Sequence, residues 1–512
     1  MNATQDRFGH PKGLYYLFFA ELWERFSFYG MKALLVLYMT KQLLFTDDMS
    51  FGVYAAYMSL VYVTPLIGGI IAEQMIGYRK AINLGGVLMA FGHFFLTFEH
   101  PFFFYFSLGL IIVGNGFFKP NISSFVGALY APGDKRRDSG FTIFYLGVNL
   151  GATIAPLLCA WVAELYGWHY GFILAGIGML LGLVVFQRGI NKNIFEDLGK
   201  VPDPEKFKIK RWGLSQQTRV IIAAIISVPV FALIVKFYQF EHYLLWIVSV
   251  FLVLYLGSIL YKVSALEKKR LLVAVYFTLL ATLFMIIFEQ AGSSLTLFAD
   301  RNVNLIGINA AQTNSINAAF IVLLAVPFAL LWPMLSKRGR NPSSPLKLGA
   351  GLFLLGVGFI VFGMSSRSMD EGGNVPMYYL ILGTFIYTIG ELFLSPIGLS
   401  KMTELSPKKY VAFIMGVWFL SSFYGHFFAG KLAQLTTVPS GQESVLSSGI
   451  FAQISDLITG LNGHTAAQMG DSFHQLYSYV SVYAIFGTIA IVLGILAMLI
   501  SPFIKQLMGG IK

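Results

Sequence analysis

The sequence predicts an all-α membrane protein with two six-helix bundles plus two inserted helices, fourteen transmembrane helices in all. Three observations predict it. The chain is 56% hydrophobic and only 12% charged over 512 residues, which excludes an ordinary soluble enzyme and fits repeated crossing of a bilayer. Apolar runs of spanning length recur fourteen times. A polar stretch at 189–217 divides them after the sixth.

The runs lie near 14–44, 51–76, 80–98, 102–129, 139–166, 169–188, 218–238, 243–263, 269–299, 312–335, 347–364, 376–402, 409–435 and 473–501. Their length and their Leu, Ile, Phe and Val content predict helices, because membrane strands would be about ten residues long and alternate in polarity. The first run carries charges and lacks a small-residue cleavage site, so it reads as a retained helix and not a signal peptide. Cys159 is the only cysteine, which leaves no disulfide framework.

The net charge is +11. With a cytoplasmic N-terminus, the positive residues collect on one side: Arg79-Lys80, Lys135-Arg136-Arg137, the 188–219 segment, and the loops at 262–270, 337–340 and 401–409. The opposite loops hold only Lys41, Lys236, Arg301, Arg367 and Lys431. This is a positive-inside bias. It predicts a multi-pass membrane protein with both termini cytoplasmic. The surplus charge therefore reports topology, not a nucleic-acid partner; contact of the 204–219 stretch with anionic lipid is the lesser reading.

The polar stretch, with Val201-Pro202-Asp203-Pro204 and a Lys-rich run, is a linker. The two runs after it carry almost nothing polar at depth beyond Ser227 and Pro229, which marks them as inserted helices. The predicted organisation is an N-terminal bundle over 1–188, a cytoplasmic linker over 189–217, the inserted pair over 218–266 and a C-terminal bundle over 267–512.

Helix one is the anomaly, because it carries Glu21, Glu24, Arg25 and Lys32 at membrane depth. At about 100° per residue these and Tyr29 share one side of the helix. A charge there costs roughly 2.5–3.5 kcal/mol even on lenient insertion scales, so a substrate or ion pathway is the default reading. The other deep ionisable residues are Lys119, Glu289 and Glu391. Without the inserted pair, the charged positions fall on helices 1, 4, 7 and 10. A period of three is expected of internal three-helix repeats lining a central cavity.

Three motifs sharpen this reading. Gly69-Ile70-Ile71-Ala72-Glu73-Gln74-Met75-Ile76-Gly77-Tyr78-Arg79-Lys80 resembles the loop signature G-x-x-x-D-R-x-x-G-x-R-K of the major facilitator superfamily. Glu21-Leu22-Trp23-Glu24-Arg25-Phe26-Ser27-Phe28-Tyr29-Gly30 resembles the E-x-x-E-R-F-x-Y-Y-G signature of the proton-dependent oligopeptide transporters, with Phe28 for the first tyrosine. A second pattern of that family recurs at Phe144-Tyr145-Leu146-Gly147-Val148-Asn149-Leu150-Gly151, with supporting fragments at 114–121 and 390–392. The inserted pair resembles prokaryotic members.

The resemblance implies a major facilitator fold and proton-coupled symport of di- and tripeptides into the cytoplasm by alternating access. It implies that Arg25, Lys32 and Lys119 serve the peptide carboxylate and Glu391 the ammonium, with Asn149 and Asn317 hydrogen-bonding the peptide. Lys32 stands where the family usually has arginine and offers a point charge instead of a fork. Tyr62, Trp418, Phe419 and Ser422 resemble the family's side-chain pocket, Tyr29 is implied as a further substrate-binding residue, and Met285 takes a place where relatives often have tryptophan. Glu21, Glu24 and Glu289 are the implied proton-coupling carboxylates. The resemblance also implies that Lys119 pairs with the helix-one glutamates and Arg25 with Glu289 in different states. Animal relatives carry a helix-two histidine; Ala55 aligns there, so coupling is expected to be carboxylate-based.

One proton moving through about 100 mV and one pH unit releases about 2.3 plus 1.4 kcal/mol, enough for a gradient of a few hundredfold. The proton gradient is thus the energy source and no cofactor is implied; no G-x-x-x-x-G-K-[ST] loop occurs. The eight histidines show no metal spacing, and no nucleophile sits with a base at depth, so the chain is not read as an enzyme. A monomer suffices for this cycle. The alternatives are uptake of nitrate or another small organic anion, and a non-transporting nutrient sensor. The 436–471 loop, rich in Ser, Gly and Thr, is read as periplasmic and is assigned no function.

Overall fold

The computed structural model describes residues 6–7, 9–131, 134, 136–203, 207, 210, 213–437, 448–462 and 470–511, and long helices dominate it. The residues fall into two compact units. The first comprises Met1–Leu44 and Leu60–Tyr238. It contains α1 (Lys12–Lys41), the later part of α2 (Asp47–Ile71), α3 (Tyr78–Phe95), α4 (Pro101–Ala128), α5 (Arg137–Tyr166), α6 (Trp168–Asn191) and α7 (Gln216–Lys236). The second comprises Phe45–Ser59 and Gln239–Lys512. It contains the start of α2 and then α8 (Glu241–Lys262), α9 (Ala265–Phe288), α10 (Ser294–Asn302), α11 (Ser315–Lys337) and α12 (Ser344–Met364). Beyond these come α13 (Met377–Leu405), α14 (Val411–Gln434), α15 (Gly449–Thr459) and α16 (Asp471–Leu507). Extended structure among the described residues is limited to two-residue strands, Asp6–Arg7 against His10–Pro11 and Val303–Asn304 beside Val375–Pro376.

Local chemistry starts and stops these helices. Ser264 and Glu267 form a reciprocal capping box at the head of α9, which satisfies two otherwise orphaned backbone donors. Ser215 caps α7 by accepting from the Thr218 amide at 3.1 Å. Pro101 opens α4, where its missing N–H costs nothing.

Twelve of the helical segments are apolar enough and long enough to cross a membrane among the described residues. Two long helices fall outside that set. They are α1, whose centre carries the charges, and the 18-residue α3, which opens on Tyr78-Arg79-Lys80.

Small residues bring the helices together, as expected where packing and not water drives association. On α12, Gly356 faces the Gly487 carbonyl of α16 so closely that a Cβ would stand 2.6 Å from it. On the opposite side Gly351 and Gly390 oppose each other's carbonyls, where added Cβ atoms would stand at 2.7 and 2.6 Å. That contact lays α13 flush on α12 and seats Glu391, the next residue.

Three segments differ from the expectation. The run at 269–299 is not one helix: α9 ends at Phe288, Glu289–Gly292 form a 3₁₀ turn and α10 restarts at Ser294. Side chains make the break tolerable at depth, because Gln290 donates to the Ile286 and Ala429 carbonyls and Ser293 to the Glu289 carbonyl. The segment 436–471 holds the helix α15, docked where Arg367 donates to the Ile458 and Leu457 carbonyls and Ser366 to the Thr459 carbonyl; residues 438–447 and 463–469 lie outside the described residues. The linker is also engaged in part. Arg79 donates to the Leu198 and Glu196 carbonyls at 2.7 and 2.6 Å. Gly77 (φ 78°) lies where a Cβ would meet the Lys200 carbonyl at 2.5 Å, so the loop motif clamps the linker through its glycine and arginine.

Candidate functional site

In the first unit four charges form one chain. Glu21, Glu24 and Arg25 are buried on the inner face of α1. The Arg25 guanidinium grips both oxygens of Glu24, from Nε and NH2, at 2.5 Å each. Its Nε also stands 3.4 Å from Glu21. Lys119 of α4 donates to the same Glu21 oxygen. The order Lys119, Glu21, Arg25, Glu24 alternates in sign and sums to zero, which makes burial tolerable where a single charge would not be. The Arg–carboxylate fork adds orientation as well as energy. One oxygen of Glu21 is buried with no hydrogen-bond partner among the described residues.

Tyr29 and Lys32 continue this face. The Arg25 guanidinium lies 4.9 Å from the Phe28 ring centroid and 5.8 Å from that of Tyr29, and the Lys32 ammonium is 5.9 Å from Tyr29. Aromatic faces thus supply cation-stabilising surface without adding charge.

The second sequence pattern explains how α5 reaches this cluster. A Cβ at Gly151 would stand 2.5 Å from the Leu22 carbonyl and 3.0 Å from the Arg25 Cβ; one at Gly147 would stand 2.9 Å from the Phe18 ring. The two glycines, one turn apart, let α5 lie against the charged turn of α1. Asn149, on the same helix and buried, donates one amide N–H to the Tyr145 carbonyl at 3.0 Å, which leaves its oxygen and its second N–H to offer a ligand. Tyr62 is half-buried on α2.

The second unit holds two further constellations. Asn317 of α11 donates to Glu391 and to the Thr388 hydroxyl of α13, both at 3.0 Å, which fixes the carboxylate's direction. Glu289 opens the turn after α9, and its Oε2 stands 3.5 Å from Nδ1 of His426 on α14, both side chains almost wholly withdrawn from solvent. A Cβ at Gly425 would stand 2.5 Å from the Met285 Cβ, and this close approach of α9 and α14 brings His426 to Glu289. Trp418 is buried with its ring against Gly398, and Ser422 is half-buried one turn further along α14.

The structure thus joins Glu21, Glu24, Arg25 and Lys119 in one cluster and Asn317 with Glu391 in another. It puts Glu289 in a third, with a residue absent from the sequence-derived site. His426 had a signal of its own, an ionisable side chain in the middle of an apolar run. Thr388, which shares the Asn317 amide, had none. No group of three or more His, Cys, Asp or Glu side chains suited to a metal ion occurs among the described residues.

The chain as a whole resembles known proteins. The model of the POT family matches residues 79–451. The chain is 35% identical over 517 residues to the uncharacterized transporter YclF of Bacillus subtilis, covering 98% of this chain and 96% of the relative. It is 35% identical over 465 residues to the peptide transporter YePEPT of Yersinia enterocolitica, covering 85% and 90%. A crystal structure of a peptide transporter POT variant in complex with alafosfalin matches with a TM-score of 0.79 at 34% identity, covering 99% of this chain and 98% of that one. With its family model and full-length relatives in agreement, the chain is a membrane transporter, not an enzyme, and belongs to the POT family.

Proposed function

We propose that the chain is a proton-coupled symporter that carries di- and tripeptides into the cytoplasm by alternating access. The observation that carries this reading is the neutral buried quartet of Lys119, Glu21, Arg25 and Glu24. Such a cluster is costly as mere structure, yet it holds two cations that a peptide carboxylate can recruit, with Lys32 next to them, and two carboxylates that can take up protons in exchange. The Glu21 oxygen that has no donor among the described residues is one place for such a proton.

The other end of a zwitterionic peptide needs an acceptor. Glu391, held by Asn317, suits the ammonium, and a small inorganic anion would have no use for it. Asn149 provides a carbonyl oxygen for the peptide backbone. We assign Tyr29 and Tyr62 of the first unit, and Trp418 and Ser422 of the second, to peptide side chains, which differ from one peptide to the next. Glu289 is the third proton-carrying carboxylate, and its imidazole neighbour supports that role.

The fold is read as a major facilitator fold of fourteen spans in two six-helix halves with α7 and α8 inserted, counting α1 and α3 as spans. At 1.5 Å per residue the 30-residue α1 is about 45 Å long, and charge pairing offsets its polarity. The protein resides in the bacterial inner membrane with both termini cytoplasmic, works as a monomer, and needs the proton gradient and no cofactor. Uptake of labelled dialanine into proteoliposomes, with and without an imposed proton gradient, tests the proposal: accumulation only with the gradient is expected.

A further inference from the structure

A groove of about 810 Å³ opens between α2, α4 and the inserted helix α7. Its walls are apolar, with Ile71, Val113, Phe117 and Phe231 among them. At its mouth Ile67, Ile226 and Val230 are 58%, 61% and 52% exposed. The two hydroxyls in the wall are engaged elsewhere: Thr64 donates to the Ile112 carbonyl at 3.1 Å and Ser227 to the Ala224 carbonyl at 2.7 Å. One charged side chain remains. Arg219, in the first turn of α7, lines the groove with its Nε buried and without a hydrogen-bond partner among the described residues.

More positive charge surrounds that end. Lys80 donates to Gln217, in the same turn of α7, at 2.7 Å. With Arg79 and Lys200 it also lines a second cavity of about 320 Å³. From Arg219 to Phe231 the groove runs about 18 Å along α7 at 1.5 Å per residue, close to the roughly 15 Å of hydrocarbon in one leaflet.

We propose that this groove is a binding site for one anionic phospholipid, with an acyl chain along α7 and the headgroup phosphate on Arg219. An apolar slot of leaflet depth, ending at an Arg219 Nε that has no acceptor among the described residues, matches an amphiphile, not a soluble ion. A guanidinium presents forked donors to a phosphate. A zwitterionic headgroup would bring its own ammonium towards Lys80 and Arg79, so the cations select for net negative charge. The bound lipid joins α7 to α2 across the gap between them.

Native mass spectrometry of the full-length protein, released from detergent containing equal amounts of palmitoyl-oleoyl phosphatidylglycerol and phosphatidylcholine, tests this. The wild type should retain one phosphatidylglycerol in preference to phosphatidylcholine by about tenfold. Arg219→Gln should bring the two lipids to about parity, while Arg219→Lys keeps part of the preference and controls for folding. Ala223, exposed on the groove wall, allows a filling variant: Ala223→Phe should remove retention of both lipids. Millimolar inorganic phosphate should leave the bound phosphatidylglycerol in place. Equal retention of the two lipids by the wild type would overturn the proposal. So would an undiminished preference in Arg219→Gln, retention by Ala223→Phe, or displacement by phosphate.

Discussion

His426 Nδ1 lies 3.5 Å from Glu289 Oε2, linking α14 to the turn that ends α9. The imidazole is the neighbour that the proton-coupling role proposed for Glu289 would use. His426→Gln preserves polarity and removes the titration. Gradient-driven dialanine uptake should fall by at least about tenfold, while peptide exchange without a gradient persists. Unchanged gradient-driven uptake would make His426 a packing residue only.

Arg25 neutralises two buried carboxylates at once. Arg25→Met should destabilise the protein by about 3–5 kcal/mol, because Glu24 is left charged and buried. Adding Glu24→Gln should recover part of that loss, a coupling visible as non-additive thermal midpoints in detergent. Arg25→Lys keeps the charge and loses the fork, so its midpoint should lie between the two.

Asn317 and Glu391 form the proposed acceptor for the peptide amino terminus. Glu391→Gln should weaken dialanine binding by about 1.5–3 kcal/mol, the range for a hydrogen bond to a charged group. N-acetyl-dialanine, which lacks the ammonium, should compete poorly against the wild type and nearly as well as dialanine against the variant. Discrimination retained by Glu391→Gln would place amino-terminal recognition elsewhere.

Much of this was legible in the sequence, for identifiable reasons. Spans show as apolar runs, and the charged face of α1 shows because one helix sets the spacing of Glu21, Glu24 and Arg25. The contact of Lys119 with Glu21 joins residues far apart in sequence, so spacing alone could not reveal it and a family resemblance could. The break after Phe288 falls on a polar stretch, Glu289-Gln290-Ala291-Gly292-Ser293-Ser294, but apolar residues flank it closely on both sides, so the segment also reads as one span; side-chain hydrogen bonds stabilise the break. The pairing of His426 with Glu289 depends on how closely Gly425 lets α14 approach Met285, a tertiary fact. α15 lies in a Ser- and Gly-rich segment whose composition reads as loop.

Gly151 is the point where α5 touches the charged turn of α1. Gly151→Ala should cost about 1–3 kcal/mol, because its methyl group meets the Leu22 carbonyl and the Arg25 Cβ and neither can retreat. The thermal midpoint should fall, and uptake with it. A midpoint equal to the wild type would show that α5 shifts without strain.

Asp370, in the loop between α12 and α13, is held below its ordinary value of 3.8, first by the Asn304 amide and then by the backbone N–H groups of Asn374 and Gly372. Its folded-state value is depressed, so its contribution is present above the ordinary carboxylate range and is lost as pH falls through the folded value. Hydrogen exchange at the Gly372 and Asn374 amides should therefore show protection, relative to the unfolded-chain rate at each pH, that is constant from neutral pH to about pH 4 and declines below it. Asp370→Asn should show the reduced protection at every pH.

The central claim is that peptide moves with protons through the residues that meet at Glu21. Its most direct measurement is accumulation of labelled dialanine in proteoliposomes under an inward proton gradient, comparing the wild type with Glu21→Gln. The wild type should concentrate dialanine inside by about tenfold or more and stop when an ionophore collapses the gradient. The variant should equilibrate dialanine without concentrating it. Accumulation by Glu21→Gln equal to that of the wild type, or wild-type accumulation indifferent to the ionophore, would contradict the account.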